Sequence, residues 1–156
     1  MARKPVSKSN LSSTKPHPFG VASSQASRQS LRIIAGQWRG RKIPFAKVSG
    51  LRPTQDRVRE TLFNWVADGI SGARCLDLYA GTGTLGLEAL PRGTKQVDFV
   101  ELSNVASNAL NDNLKKLPIE QDQIAKVEQM SSFDWLRRYK NNSQAIGQAE
   151  PYNLCY

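Results

Sequence analysis

ARCLDLYAGTGTLGLEAL, residues 73–90, predicts a buried strand, a glycine turn and the start of a helix. The apolar run at 75–79 is typical of a strand that is covered on both faces. The glycines that follow have the spacing Gly-x-Gly-x-x-Gly. Gly81 and Gly83 allow a sharp turn and a close approach to a ligand, and Gly86 allows close helix–strand packing. The segment therefore predicts an α/β protein with a ligand-binding loop.

An acidic residue twenty positions after Gly81 makes this pattern more specific. A second strand-like run, 96–100, leads into Glu101. An acid at this place can accept hydrogen bonds from both hydroxyls of a ribose. A glycine-rich turn in some other α/β protein is the alternative interpretation. The order strand, glycine loop, helix, strand and acid favours a ligand that contains a nucleoside.

The kind of nucleoside depends on Asp77, which lies four residues before Gly81 at the predicted carboxyl end of the first strand. A dinucleotide would place a diphosphate near the helix start, where this carboxylate would repel it. The ammonium and sulfonium groups of S-adenosylmethionine (AdoMet) would be attracted instead. Asp77 could also cap the loop by accepting hydrogen bonds from backbone amides. We therefore expect AdoMet as the cofactor, and a nicotinamide-dependent oxidoreductase is the alternative.

The composition is that of a soluble protein with one packed domain. The chain has 156 residues, of which 39% are hydrophobic. No apolar run approaches the roughly 20 residues of a membrane span, and the basic N-terminus lacks the apolar core of a secretory signal. Cys75 and Cys155 fall in predicted buried strands and have no metal-ligand spacing. We therefore expect a cytoplasmic monomer that binds neither a metal nor a membrane.

The net charge of +9 is distributed unevenly along the chain. Residues 1–59 hold 13 basic residues and one acidic residue, whereas residues 60–156 hold nine basic and twelve acidic residues. The first part therefore has the electrostatic character of a polyanion-binding segment. Residues 1–30, with eight serines and no acid, are predicted to form a disordered basic tail. A solvated tail without a partner is the alternative for these residues.

Residues 31–54 are predicted to form an RNA-binding hairpin and loop. Strand-like runs at 31–34 and 41–45 flank a turn that contains two glycines. Basic side chains contact phosphates, and an aromatic side chain can stack on an unpaired base. Trp38 could either stack on a base or pack the hairpin onto the domain. The candidate RNA-binding residues of this part are Arg32, Trp38, Arg39, Arg41, Lys42, Arg52 and Thr54.

Residues 55–156 are predicted to form the N-terminal part of the cofactor-binding domain. A helix over 55–67 would start at Thr54 as its N-cap and end at Asp68-Gly69. Its predicted buried face consists of Val58, Leu62, Trp65 and Val66. Arg57 and Arg59 lie off that face and are further candidates for RNA binding. The remaining predicted elements are helices at 104–117 and 133–139, strands at 126–130 and 152–156, and a polar loop at 140–150.

Three motifs follow one another in the chain: RIIAGQWRGRKIP at 32–44, GLRPTQDRVRETLFNW at 50–65 and CLDLYAGTGTLGLEAL at 75–90. Together they resemble the bacterial methyltransferases that modify the N2 amine of a guanine in 16S ribosomal RNA. The resemblance covers residues 31–156. It implies a Rossmann-like AdoMet-dependent methyltransferase fold with an N-terminal β-hairpin extension. It also implies 16S ribosomal RNA, within the small (30S) ribosomal subunit, as the substrate and partner.

The same resemblance implies which residues bind AdoMet. Asp77 and the glycines would line the methionine and adenosine portions, and Glu101 would hold the ribose. Ser131 falls where relatives often carry Asp or Asn beside the adenine. The predicted cofactor site as a whole consists of Asp77, Tyr79, Gly81, Gly83, Gly86, Glu101, Leu102, Ser131 and Ser132.

One motif of that family does not occur in this sequence. In relatives, the fourth strand continues into an Asp/Asn-Pro-Pro-aromatic loop, which would hold the flipped guanine with its amine in line with the sulfonium methyl group. Here PYNLCY, residues 151–156, matches the strand that leads up to this loop. We therefore expect an incomplete domain with the first four strands and no catalytic residue within 1–156. A protein that truly ends at Tyr156 is expected to be inactive. The chain would be a truncated product, a frameshifted reading frame or part of a longer protein.

A non-catalytic RNA-binding protein with a vestigial cofactor fold is the alternative function.

Overall fold

The computed structural model describes residues 29–45, 52–146 and 151–156. The predicted basic tail, apart from its last two residues, lies outside the described residues, as does the part of the predicted RNA-binding loop at 46–51. The strands are β1 (Ser30–Arg32), β2 (Lys42–Pro44), β3 (Arg74–Asp77), β4 (Gln96–Glu101), β5 (Ile124–Gln129) and β6 (Leu154–Cys155). The helices are α1 (Asp56–Trp65), α2 (Ala67–Ile70), α3 (Thr84–Ala89), a 3-10 turn (Leu90–Arg92), α4 (Asn104–Leu114) and α5 (Ser132–Ile146).

Four strands form a parallel sheet in the order β5-β4-β3-β6. The chain moves outward from β3 through β4 to β5, and then returns to the other side of β3 with β6. The carboxyl ends of the strands are in register, because Asp77 lies opposite Phe99 and Glu101 lies opposite Gln129. The strand order reverses beside β3, and open α/β sheets bind ligands at such a position. The predicted Rossmann-like α/β fold is confirmed.

One large apolar cluster joins the hairpin, the helices and the sheet. Leu87 of α3 and Phe99 of β4 are both fully buried within it. A Cβ added at Gly86 would lie 2.1 Å from Cε1 of Phe99, so only glycine lets α3 lie this close to the sheet. The prediction that Gly86 allows close helix–strand packing is confirmed.

The predicted hairpin is also confirmed, with β1 and β2 antiparallel and Leu31 opposite Ile43. Gly36 and Gly40 adopt positive φ angles of 75° and 84° in the turn between them. A Cβ at Gly36 would lie 2.1 Å from the carbonyl oxygen of Pro91, and the N–H of Gln37 donates to that oxygen at 2.9 Å. The hairpin turn is therefore docked against the 3-10 turn that follows α3.

Helix α1 differs from its prediction at both ends and in the face that it buries. Its N-cap is Gln55, which makes no side-chain capping hydrogen bond, so Thr54 is not the cap. The dipeptide 68–69 lies inside the separate helix α2 and does not end α1. Val58 and Trp65 are 53% and 81% exposed, whereas the prediction buried both. The helix is oriented instead so that the buried Arg59 reaches its hydrogen-bond partners. The spacing of apolar residues does not predict such partners.

Three smaller predictions also require correction. Helix α5 continues through residue 146, so the first part of the predicted polar loop at 140–150 is helical. Cys155 is exposed, whereas Cys75 is buried as predicted, and burial raises the pKa of the Cys75 thiol to about 11. Helix α4 ends at Leu114, three residues earlier than predicted. Within the described ranges, no helix combines the length and the apolar character that crossing a membrane would require.

Candidate functional site

The glycine loop lies between the carboxyl end of β3 and the first turn of α3. Gly81 and Gly83 have φ angles of 54° and 75°, in the left-handed region that side chains other than glycine rarely adopt. A Cβ at Gly83 would lie 2.5 Å from Cδ1 of Leu110. The loop therefore needs glycine for its backbone conformation and also for its packing against α4.

Asp77 closes this loop from below. Its side chain is buried, with the residue only 3% exposed, and its Oδ2 accepts a hydrogen bond from the N–H of Gly86 at 3.3 Å. Burial raises the pKa of Asp77 to about 6; hydrogen bonds from the Gly86 and Tyr79 amides oppose this shift, and the charge of Glu101 adds to it. The loop-capping role that the sequence left open is thus present. Asp77 is also one of the residues that line a crevice, so capping and a role in ligand binding are compatible.

Glu101 connects the glycine loop with the loop after β4. One carboxylate oxygen accepts from the N–H of Gly81 at 2.7 Å, and the other accepts from the N–H of Ser103 at 2.6 Å. Each oxygen of an ionised carboxylate can accept two hydrogen bonds, so one position on each remains for a ligand. Leu102, the next residue in the chain, is 70% exposed, and Tyr79, at the start of the glycine loop, is 74% exposed.

The two serines at the start of α5 have protein partners for their hydroxyls. Ser132 is buried and donates to the carbonyl oxygen of Leu78 at 2.6 Å. The Ser131 hydroxyl accepts from the N–H of Asp134 at 3.1 Å and donates to the Asp134 carboxylate at 2.7 Å. These two hydrogen bonds join Ser131 to the first turn of α5. Both serines lie at the carboxyl end of β5, as predicted. Their contact with an adenine stays a prediction.

A crevice opens between the glycine loop and the segment that precedes α1. It brings predicted cofactor residues together with two residues that were predicted to bind RNA. The hydroxyls of Thr82 and Thr84 lie 2.6 Å apart within it and share a hydrogen bond. The motif treats both threonines as variable positions, so sequence reasoning missed them. The lining residues are Arg52, Thr54, Asp77, Tyr79, Ala80, Gly81, Thr82, Thr84 and Leu85.

A second cavity lies under α5 and is not a candidate for the cofactor. It is lined by Gln96 and Asp98 from the amino-terminal half of β4, together with Trp135 and Tyr139 of α5. Ligands of open α/β sheets bind instead at the carboxyl ends of the strands. The buried carboxylate of Asp98 is already paired, since it accepts from Gln96 Nε2 at 2.6 Å and from the hydroxyl of Tyr152 at 2.5 Å.

A charged cluster, which we name the Glu88 cluster, consists of Asp56, Arg59, Glu88 and Arg92, and all but the exposed Asp56 are largely buried. Glu88 is fully buried, and its carboxylate accepts from Arg59 Nη1 and from Arg92 Nη1, each at 2.6 Å. Arg59 Nη2 in turn donates to Asp56 at 2.6 Å and to the carbonyl oxygen of Arg32 at 3.0 Å.

The Glu88 cluster also holds the hairpin. The backbone N–H groups of Ile34 and Ala35 donate to the carboxylate of Glu88 at 2.9 and 3.1 Å. The hairpin, α1 and α3 therefore meet at one carboxylate. Sequence reasoning missed Glu88, although a lone acid within the apolar run of α3 signals a buried charge that needs partners.

Two predicted RNA-binding residues are buried, so those assignments are wrong for this structure. Arg59 is 0% exposed because the Glu88 cluster holds its guanidinium. Trp38 is 5% exposed and belongs to the apolar core, which agrees with the packing alternative and not with stacking on a base.

The other predicted RNA-binding cations are accessible. No partner within the described ranges makes a hydrogen bond or an ion pair with their side chains, so their charges are available to a polyanion. They are Arg32, Arg39, Arg41 and Lys42 on the hairpin, Arg52 in the crevice and Arg57 on α1. Among the residues that the structure describes, no group of three or more potential ligands could hold a metal ion.

Known proteins resemble the chain over the region that contains these features. It is 50% identical over 111 residues to ribosomal RNA small subunit methyltransferase D of Haemophilus influenzae, covering 71% of this chain and 57% of that protein. The identity to the Escherichia coli protein of the same name is 50% over 101 residues, covering 65% and 51%. The solved structure of the Escherichia coli protein yhhF superposes with a TM-score of 0.62 at 47% identity, covering 69% of this chain and 57% of that chain.

The chain spans about half the length of the curated relatives that it matches. Residues 31–153 match the family described as conserved hypothetical protein 95. This match includes the hairpin, the Glu88 cluster and the glycine loop. The chain therefore belongs to the conserved hypothetical protein 95 family, that of the small-subunit ribosomal RNA methyltransferase D proteins.

Proposed function

We propose that this protein takes part in the transfer of a methyl group from AdoMet to the exocyclic N2 amine of a guanine in 16S ribosomal RNA. The observation that carries the proposal is the glycine loop held between two carboxylates. Asp77 accepts from the amide of Gly86 below the loop, and Glu101 accepts from the amide of Gly81 beside it. The names of the relatives support ribosomal RNA of the small subunit as the substrate. Such a substrate would place the protein in the cytoplasm.

The residues of the loop fit AdoMet in charge and in shape. The Asp77 carboxylate lines the crevice and would attract the ammonium group of the amino-acid end. Glu101 has acceptor positions left for the two ribose hydroxyls. The exposed side chains of Tyr79 and Leu102 offer apolar surface to the nucleoside. AdoMet, when bound, supplies a methyl group that its sulfonium makes susceptible to nucleophilic attack.

The hairpin supplies the surface for RNA. Its two faces differ, because Leu31, Ile33 and Ile43 are buried whereas the arginines and the lysine between them are exposed. Basic side chains on a rigid hairpin contact phosphates and fix the position of the RNA. The guanine amine is a poor nucleophile and has to be flipped out of its stack toward the methyl donor. The Glu88 cluster keeps this RNA surface and the glycine loop in one fixed arrangement.

Methyl transfer tests the proposal directly. The full-length protein, purified from its own cells, is incubated with tritiated AdoMet and with 30S subunits from cells that lack the protein. We expect label in 16S ribosomal RNA, located by mass spectrometry on the N2 amine of a single guanine. The variants Asp77→Ala and Glu101→Ala should both bind AdoMet more weakly. The absence of transfer to RNA, or transfer to a different atom, would refute the proposal.

RNA binding distinguishes the proposal from its alternatives. The affinity of the chain for 16S ribosomal RNA should fall with salt, with a log–log slope of about 0.7–0.9 for each phosphate contact. Replacing Arg39, Arg41 and Lys42 by Ala should reduce both affinity and slope, whereas replacing Lys115 and Lys116, just after α4, should not. RNA binding without AdoMet binding would favour the non-catalytic alternative. Thermal protection by NADH instead of AdoMet would favour the oxidoreductase.

A further inference from the structure

We infer that Arg52 binds the carboxylate of the amino-acid end of AdoMet, and does not bind a phosphate of the RNA. The inference rests on the proposed function, because it assigns a role within the proposed cofactor site. It changes the interpretation of a residue that the sequence placed on the RNA-binding surface.

The position of Arg52 separates it from the other accessible cations. Its residue lines the same crevice as Asp77, Gly81 and Thr82, although it lies before α1 and not on β3 or its loop. Thr54, two residues further on, lines the crevice as well. The exposed arginines of the hairpin and Arg57 of α1 do not. Arg52 is therefore distinct from the other accessible cations in facing the glycine loop.

The crevice carries balanced charge. It contains one basic and one acidic lining residue, Arg52 and Asp77. The described part of the chain gives the Arg52 guanidinium no ion-pair partner. A crevice with one guanidinium and one carboxylate is complementary to a zwitterion. An amino acid is such a group, with its ammonium toward Asp77 and its carboxylate toward Arg52.

The crevice is suited to one part of the cofactor. Of the residues proposed for the nucleoside, Glu101, Leu102 and the serines at 131–132 do not line it, whereas Tyr79 does. Glu101 is nevertheless fixed to the edge of the crevice by its hydrogen bond from Gly81. The nucleoside would therefore lie toward β4, and the amino-acid end would extend along the glycine loop to Arg52.

The test compares two ligands that share the nucleoside and differ in the amino-acid end. S-adenosylhomocysteine carries the carboxylate and the ammonium, and 5′-methylthioadenosine lacks both. Binding of each ligand is measured by calorimetry for the unmodified chain, for Arg52→Ala and for Arg57→Ala. Arg57 is the matched control, because it is also exposed and lies five positions away outside the crevice. Circular dichroism verifies that both variants are folded.

We expect Arg52→Ala to weaken S-adenosylhomocysteine binding by about tenfold or more, the loss typical of a charge-assisted hydrogen bond. Binding of 5′-methylthioadenosine should stay within about twofold of the unmodified chain, as should RNA binding. Arg57→Ala should leave the binding of both small ligands unchanged. Equal weakening of both small ligands, or loss of RNA binding alone, would overturn the assignment of Arg52.

Failure of this inference can be separated from failure of the proposed function. If the unmodified chain binds both ligands and Arg52→Ala changes neither affinity, only the assignment of Arg52 is wrong. If the unmodified chain binds neither ligand, AdoMet is not the cofactor and the proposed function fails with the assignment.

Discussion

The Glu88 cluster and the crevice use the same kinds of side chain for opposite purposes. In the Glu88 cluster, a fully buried carboxylate accepts from two arginines and two backbone amides, so protein groups satisfy it completely. In the crevice, Asp77 accepts from backbone amides alone, and Arg52 has no ion-pair partner within the described part of the chain. The difference teaches that a closed set of charges stabilises the fold, whereas an open set is available to a ligand.

The largest effect on stability should follow from disrupting the Glu88 cluster. Glu88→Ala removes the acceptor for Arg59 and Arg92 and leaves the amides of Ile34 and Ala35 without a partner. Removing one partner of a buried ion pair costs about 3–5 kcal/mol, because the remaining charge stays buried. We expect a loss of this size in the free energy of unfolding, measured by urea denaturation.

An exposed ion pair provides the control for this prediction. Asp112 pairs with Lys115 at 3.2 Å, and both side chains are largely exposed. Pairs of this kind contribute about 0–1 kcal/mol, so Asp112→Ala should have little effect. Equal losses for Glu88→Ala and Asp112→Ala would show that the Glu88 cluster does not connect the hairpin to the domain as described.

A smaller effect, an increase in the free energy of unfolding, should follow from neutralising Asp77 in the crevice. Burial raises the pKa of Asp77 to about 6 in the folded protein, from an ordinary value of 3.8. Between these two values the folded protein holds a proton that the unfolded chain has released, so stability falls as the pH rises through this window. Asp77→Asn removes this dependence and should stabilise the protein at pH 7 by at most about 3 kcal/mol, less whatever its weaker hydrogen bonds from the loop amides cost.

The pH series gives this prediction its control. The stability difference between Asp77→Asn and the unmodified chain should reach its minimum below about pH 3, where Asp77 is protonated in both the folded and the unfolded state. The variant should also bind AdoMet more weakly, since the attraction for the ammonium is lost. Asp68→Asn, at an exposed position of α2, should change neither property. A variant that is destabilised equally at both pH values would show that the hydrogen bonds to Asp77 outweigh its desolvation.

The two regions also differ in how far the sequence predicted them. The glycine loop, Gly86 and Asp77 could be predicted because their roles depend on backbone conformation and on neighbours close in the chain. The Glu88 cluster could not, because Arg59 and Glu88 are 29 residues apart and nothing in the local pattern pairs them. The same ion pair determines which face of α1 is buried. The sequence pattern therefore predicted neither the burial of Arg59 nor the exposure of Trp65. Arg52 was assigned to RNA because a sequence does not show which side of a loop faces the cofactor.

The smallest effect on stability should come from Trp65, which the orientation of α1 leaves exposed to solvent. Trp65 is 81% exposed, whereas Trp38 and Trp135 are each 5% exposed. Trp65→Ala should therefore change stability by no more than about 0.5 kcal/mol, whereas Trp38→Ala should cost about 3–5 kcal/mol. Acrylamide should quench a component of the tryptophan fluorescence that Trp65→Phe removes. A large loss of stability on Trp65→Ala, or a Trp65 that acrylamide cannot reach, would show that this face of α1 is covered in solution. In that case the ion pair between Arg59 and Glu88 would not be sufficient to explain the orientation of α1.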